Sequence, residues 1–323
     1  MRSRLSKKSF RPKDSEGGIV GKGTIRVPFL EINHILMQLK CLQLGNQMMI
    51  RKYLPPFVMW LVFEVIAVTL WFALDNIFYL FNFSYIGTAI AVGLVLYGRK
   101  KKYARNVVQF AVGLYMLVYL GFLCRENVQI EGFWYYLFLG VFEAATIHYV
   151  VAKIFGPLLF GRGWCGYACW TAMVLDLLPF KEPSSPRKRW GMIRYFVFGA
   201  SLIFVSLLFL LQVPNKEEIM WWSFIIGNIL YYVVGIAIAY KCKDNRAFCK
   251  YICPITVFLK PMSYFSLFRI KVDKKKCISC GKCEKICPMN VEVPCNSRNK
   301  KNATECILCM KCVEECPQNA LKL

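Results

Sequence analysis

Six apolar stretches run along this chain, at 56–81, 84–98, 106–123, 133–158, 193–213 and 219–240. A helix crossing a hydrocarbon core of about 30 Å needs roughly 20 residues at about 1.5 Å each, and all but the second stretch approach or exceed that length. Short polar connections separate the stretches, a basic segment precedes them, and a tail rich in lysine and cysteine follows. The pattern predicts a mainly α membrane protein of about six transmembrane helices followed by a small C-terminal α+β domain. The expected divisions are a basic N-terminal segment at 1–54, a transmembrane domain at 55–260 and a cysteine-rich domain at 261–323.

Composition agrees, with 57% hydrophobic and 15% aromatic residues in 323, more than soluble domains of this length carry. The first 55 residues lack the apolar core of a cleavable signal peptide, so none is expected. Loops rich in lysine and arginine stay in the cytoplasm. Eleven basic residues lie from Arg2 to Lys52 and five in 99–105, and Lys181, Arg187, Lys188, Arg189 and Arg194 form a third group. Everything after Tyr240 is also strongly basic. The alternate connections, 76–83, 124–132 and 214–218, hold only Arg125 and Lys216. Six spans with both termini cytoplasmic satisfy every loop of a multi-pass protein of the inner, cytoplasmic membrane. The formal net charge of +23 therefore reads as topology and attraction to anionic lipid headgroups, not as nucleic-acid binding. Met48-Met49 would make a short cytoplasmic start just before the first span; otherwise residues 1–50 form a basic arm on the membrane.

Residues 277–323 restrict the chemistry most sharply. Cys277, Cys280, Cys283 and Cys287-Pro288 form one run, and Cys306, Cys309, Cys312 and Cys316-Pro317 repeat it. Each reads C-x2-C-x2-C-x3-C-P, the run that holds 4Fe-4S clusters in bacterial-type ferredoxins. Zinc does not need four cysteines per run, and a reducing cytosol disfavours disulfides. Three cysteines in one loop wrap three corners of a cubane, and the fourth, on a following helix, ligates the other cubane. The expected ligand sets are Cys277, Cys280, Cys283 and Cys316 for one cluster and Cys306, Cys309, Cys312 and Cys287 for the other. Cys295, in the link between the runs, reads as a spare thiol. Eleven basic against six acidic residues in 271–323 suit an acidic electron-carrying partner, and equally a solvated surface.

Two further cysteine pairs each follow a predicted helical hairpin. Arg162-Gly-Trp164-Cys165-Gly-Tyr167-Ala-Cys169-Trp170 aligns with Arg246-Ala-Phe248-Cys249-Lys-Tyr251-Ile-Cys253-Pro254, 84 residues on. The repeat predicts a pseudo-two-fold pair of hairpins. If each C-x3-C lies on one helix, its cysteines share a face, and four thiols converge at the cytoplasmic boundary. They read as a third metal centre, as a redox-active thiol set, or as small residues that allow close helix packing. Cys242 could replace one of them as a ligand. Arg162 and Arg246 would neutralise cluster charge or bind headgroups.

This combination, a membrane core carrying GRGWCGYACW and FCKYICP followed by a cytoplasmic two-cluster ferredoxin domain, resembles the NapH and NosR group of polytopic iron-sulfur proteins over roughly residues 55–323. CcoG-type membrane ferredoxins share the core. The NapH-like resemblance implies an electron-transfer component of the quinol dehydrogenase kind, with two 4Fe-4S clusters, quinone as substrate, and a soluble or membrane-bound electron-transfer protein as partner. The CcoG-like alternative is a metal reductase or maturation factor for a respiratory enzyme. A membrane-tethered redox sensor or assembly platform is a further reading. The flavin domain of NosR-type members and the β domain of CcoG-type members have no counterpart before Leu323. Trp170 stands where the family pattern has proline.

Ionisable residues inside spans are functional candidates. Glu64 in the first stretch and His148 in the fourth sit at similar expected depth and would accept protons from a quinol. Glu143 is about 140° around the helix from His148 and does not pair with it unaided. The other histidine, His34, lies outside the stretches, which argues against bis-histidine haem. Asp176 reads as interfacial, and the abundant aromatics as membrane belts.

Overall fold

The computed structural model describes residues 29–142, 144–293 and 302–323. Glu143, Cys295 and the segment 1–28 lie outside the described residues. Two compact units divide the chain, Met1–Arg51 and Lys52–Leu323. Helix α1 covers Phe29–Leu74.

Among the described residues, five helices are long and apolar enough to cross a membrane. They are Tyr53–Leu74 within α1, α2 at Ile77–Gly98, the segment Ala104–Leu123, the segment Trp190–Leu210, and α10 at Lys216–Cys242. Helix α3 (Ala104–Leu114) continues as a π-helix over Tyr115–Leu123, and α9 covers Ile193–Leu210. Their outer faces are apolar, with Phe72 74%, Phe196 75% and Leu210 81% exposed. Surfaces of that kind belong against lipid, because helices satisfy their own backbone and need no water.

Two departures from the expected spans have local causes. The chain turns at Asp75, whose φ is 48°, and the Asn76 side chain accepts the Phe78 N–H at 2.9 Å. This N-cap starts α2 at Ile77, so the short stretch at 84–98 belongs to a helix of 22 residues. The expected span at 133–158 is broken. Helix α4 (Ile130–Leu139) stops at Gly140, left-handed at φ 71°, a glycine stop. Helicity resumes as α5 (Ala144–Tyr149), a π-helix at Val150–Phe155 and α6 (Gly156–Phe160). The resulting apolar helix, Ala145–Phe160, is shorter than the five spans.

Between the spans and after the last one, the chain packs short helices. Helices α7 (Gly163–Tyr167) and α8 (Trp170–Leu175) follow α6, while α11 (Ala247–Tyr251) and α12 (Thr256–Tyr264) follow α10. The bundle core gathers Val112, Met116, Trp170 and Phe224, all buried. Gly121 makes room for the Phe224 ring, since a Cβ there would lie 2.2 Å from it. Trp170 has its own reason to replace proline: its Nε1 donates to Asn228 Oδ1 at 2.8 Å, tying α8 to α10.

The C-terminal part closes on itself. Strand β1 (Lys271–Val272) pairs antiparallel with β2 (Leu321–Lys322), Lys271 opposite Lys322 and Val272 opposite Leu321. Two one-turn helices, α13 (Lys282–Lys285) and α14 (Lys311–Glu314), lie between them in sequence. The two cysteine runs share one backbone conformation. Ser279 and Gly281 have φ of 53° and 71°, and their counterparts Leu308 and Met310 have 51° and 61°. Asn290 and Asn319, three residues after the fourth cysteines, are likewise left-handed.

Candidate iron-sulfur sites and the seam between them

Each loop with paired left-handed residues turns its cysteines around a cavity. One cavity is lined by Cys277, Cys280, Cys283 and Cys316. The other is lined by Cys287, Cys306, Cys309 and Cys312. Each cavity thus has three cysteines from one run and the fourth from the other. The second turn of each run also aims a backbone N–H at sulfur: Val291 N–H donates to Cys287 Sγ at 3.4 Å, and Ala320 N–H to Cys316 Sγ at 3.4 Å. Bonds of this type hold thiolate and tune an iron-sulfur centre. Burial pushes the Cys306 thiol up to about 12 and the Cys312 thiol up as well. Metal coordination reverses that preference by taking the thiolate. Among the described residues no three histidine, cysteine or acidic side chains converge tightly enough for a single metal ion. Soft donors spread around a wider cavity fit a polynuclear iron-sulfur group.

The membrane-side cysteines are arranged differently from the expectation. Cys165 sits in α7, but Cys169 caps α8 in extended conformation at φ −78°, ψ 118°. Cys249 sits in α11, and Cys253 lies beyond it. Each pair therefore straddles a helix end instead of sharing one helical face. The two pairs still lie within electrostatic reach of each other, because the two repeats clasp each other. Arg162 Nη2 donates to the Cys249 carbonyl at 3.4 Å, and Arg246 Nη1 to the Cys165 carbonyl at 3.0 Å. Burial and the neighbouring thiols push Cys253 up, and burial pushes Cys249 up to about 11 against the pull of Arg246. Lys153, buried, places its ammonium 4.9 Å from the Trp164 ring centroid. Cys242 packs instead with Ala247 and Tyr251.

Asp176 is part of this clasp. Its carboxylate accepts from Arg246 Nη2 at 2.5 Å and Arg105 Nη1 at 2.7 Å. Burial raises its pKa, but Arg246 and Arg105 outweigh that and hold it below the usual carboxylate range.

The cysteine-rich part docks directly on the first repeat. Arg162 N–H donates to the Cys306 carbonyl at 3.3 Å, and Tyr167 Oη to the Leu308 carbonyl at 3.0 Å. Gly166 permits this approach, since a Cβ there would fall 2.4 Å from the Ile307 oxygen. Cys165, Cys249, Ile307, Leu308 and Cys312 share one apolar core. Glu305, 1% exposed, receives Arg162 Nη1, Arg187 Nη2 at 2.8 Å and Arg194 Nη1 at 3.4 Å, with Lys260 Nζ at 3.7 Å. Sequence reasoning missed Glu305; its position directly before Cys306 was the available signal, and its partners are spread over 99 residues, from Arg162 to Lys260.

A separate, small apolar pocket lies among α1, α2, the Ala104–Leu123 segment and Ala145–Phe160. His148 and Trp164 line it; Glu64 is not among its lining residues and accepts Ser84 Oγ at 2.7 Å. Three buried polar atoms on lining residues have no protein partner: His148 Nε2, Trp164 Nε1 and Asn82 Oδ1.

Comparison with known proteins agrees with this geometry. Residues 269–317 match the 4Fe-4S dicluster domain family, and residues 147–181 with 228–275 match a 4Fe-4S binding domain family. The second match encloses both membrane-side cysteine pairs. The chain is 26% identical to an uncharacterized protein of Methanocaldococcus jannaschii over 51% of its own length and 67% of that protein's. It is 25% identical to the methylamine utilization ferredoxin-type protein MauN of Methylobacillus flagellatus, covering 61% of this chain and 79% of MauN. It is 39% identical to the putative electron transport protein YccM of Escherichia coli over 15% of this chain and 14% of YccM. No solved structure matches. The chain carries 4Fe-4S ferredoxin-type domains joined to membrane-capable helices and is homologous to electron-transport proteins of the MauN and YccM kind.

Proposed function

We propose that this protein relays electrons between the quinone pool and a partner redox protein, as a NapH-like membrane component. Cys277, Cys280, Cys283 and Cys316 hold one 4Fe-4S cluster, and Cys306, Cys309, Cys312 and Cys287 hold the second. Cys165, Cys169, Cys249 and Cys253 form a further redox centre between the second cluster and the membrane. The proposed divisions are a basic segment at 1–54, a transmembrane domain at 55–260 and a cytoplasmic ferredoxin domain at 261–323, with both termini on the cytoplasmic side of the inner membrane, the broken stretch from α4 to α6 supplying the sixth crossing.

The observation that carries this reading is the continuity around Trp164. Its ring lines the apolar cavity, and its sequence neighbour Cys165 shares a packed core with Ile307 and Leu308 of the second cysteine loop. A quinone ring entering between these helices would bring polar edge atoms to residues that carry unpartnered polar atoms, His148, Trp164 and Asn82. Oxidation of a quinol there releases two electrons and two protons. When bound, the two clusters would take one electron each, and His148 and Glu64 are the candidate acceptors for the two protons.

Mixing the purified, cluster-loaded protein with a reduced menaquinone analogue tests the reading. Paramagnetic resonance should show cluster reduction within turnover times, or quinone reduction when the clusters start reduced. Absence of exchange in both directions overturns the quinone assignment.

A further inference from the structure

The two cysteine cavities differ in electrostatic setting. Near the outer one, Lys282 pairs with Glu315 at 2.9 Å, but those side chains are 55% and 47% exposed, so water and salt screen them. Beside the inner one, Glu305 is buried directly before Cys306 and faces four cations. Those cations come from separate parts of the chain: Arg162 ahead of α7, Arg187 in the loop after α8, Arg194 in α9 and Lys260 in α12. Three of them also hold the second repeat. Arg162 donates to the Cys249 carbonyl, and Arg187 and Arg194 donate to the Lys250 carbonyl. Arg162 Nε, Arg187 Nη1 and Arg194 Nε remain buried without a protein partner.

One carboxylate does not neutralise three arginines, of which Arg162 and Arg194 are buried, together with the half-exposed Lys260, and an excess of buried positive charge is costly without an anionic counterpart. We propose that Glu305 and its ring of cations set the reduction potential of the cluster held by Cys287, Cys306, Cys309 and Cys312, independently of the outer cluster. A cubane becomes more negative by one charge on reduction, so nearby cations favour the reduced form and a nearby carboxylate opposes it. Glu305 therefore acts as a positioning and tuning residue: it gathers the cations against the inner loop and offsets part of their field. The inference rests on the proposed ligand set for that cavity.

The test is a redox titration of the intact, cluster-loaded protein followed by paramagnetic resonance. The outer centre is identified by its relaxation with a water-soluble paramagnet, since Cys280 is exposed. Glu305→Gln should move the inner midpoint upward, and Lys260→Gln should move it downward, with the outer midpoint unchanged in both. Glu305→Asp should restore the wild-type value. Lys260 is 37% exposed, so Lys260→Gln carries the test by itself if Glu305→Gln does not fold. An inner midpoint unmoved by Lys260→Gln, equal movement of both centres, or movement of the same sign in both variants overturns the inference. Iron analysis separates the two layers: wild-type protein with well under about eight irons per chain defeats the ligand assignment, whereas full iron with unmoved midpoints defeats only the tuning role.

Discussion

Arg246 reaches from the second cysteine repeat to the first, donating to the Cys165 carbonyl at 3.0 Å while its guanidinium pairs with Asp176. Arg162 returns the contact to Cys249. The two half-structures are therefore fastened by buried charge, and each fastening arginine depends on a carboxylate from elsewhere in the chain.

That dependence makes Asp176→Asn costly. Breaking a buried pair strands the remaining charge at about 3–5 kcal/mol, and the variant should lose stability of that order in denaturant titrations. The pH response should change too. Because the folded pKa of Asp176 lies below its ordinary value, its contribution is complete above about pH 4 and disappears as pH falls through the folded value. Wild type should show this acid-side loss, and Asp176→Asn should lack that component.

Crossed ligation has a counterintuitive signature. Cys316→Ser, in the second run, should remove the cluster of Cys277, Cys280 and Cys283, and Cys287→Ser should remove the cluster of the later run. In each variant iron per chain should fall from about eight to about four. The surviving resonance signal should be the opposite one in the two variants.

Gly166→Ala should loosen the seam. Its Cβ would meet the Ile307 oxygen at 2.4 Å, and backbone does not yield as a side-chain end does, so a penalty of about 1–3 kcal/mol is expected. Limited proteolysis should then cut the Cys306–Cys309 loop faster than in wild type, with cluster content retained at low temperature.

Orientation is open to a direct check at Cys124, an exposed cysteine at the end of the Ala104–Leu123 segment. With both termini cytoplasmic, a membrane-impermeant maleimide should label Cys124 in spheroplasts and fail to label it in sealed inverted vesicles. The reverse pattern would turn the proposed topology over.

Local signals were legible in the sequence because they are repeated and short-range. The C-x2-C-x2-C-x3-C-P rhythm implies paired loops, and the structure repeats the left-handed backbone at Ser279 and Gly281 in Leu308 and Met310. Hydropathy marked the spans, although Asn76 and Gly140 moved their boundaries through capping and a left-handed stop. The C-x3-C spacing suggested one helical face, and helix ends at Tyr167 and Tyr251 overrode it. Asp176 looked interfacial because nothing adjacent reveals that Arg105 and Arg246 converge on it.

Sequence alone determined the chemical class of the chain, since the cysteine spacing and the length of the apolar stretches are set by the size of a cubane and the thickness of a bilayer. Tertiary structure decided where those parts meet. Glu305 finds Arg162, Arg187, Arg194 and Lys260, and the lining of one pocket brings together His148, Trp164 and Asn82, each with an unpartnered polar atom. Such groupings depend on how helices far apart in sequence pack, because Coulomb and hydrogen-bond partners are chosen by distance in space.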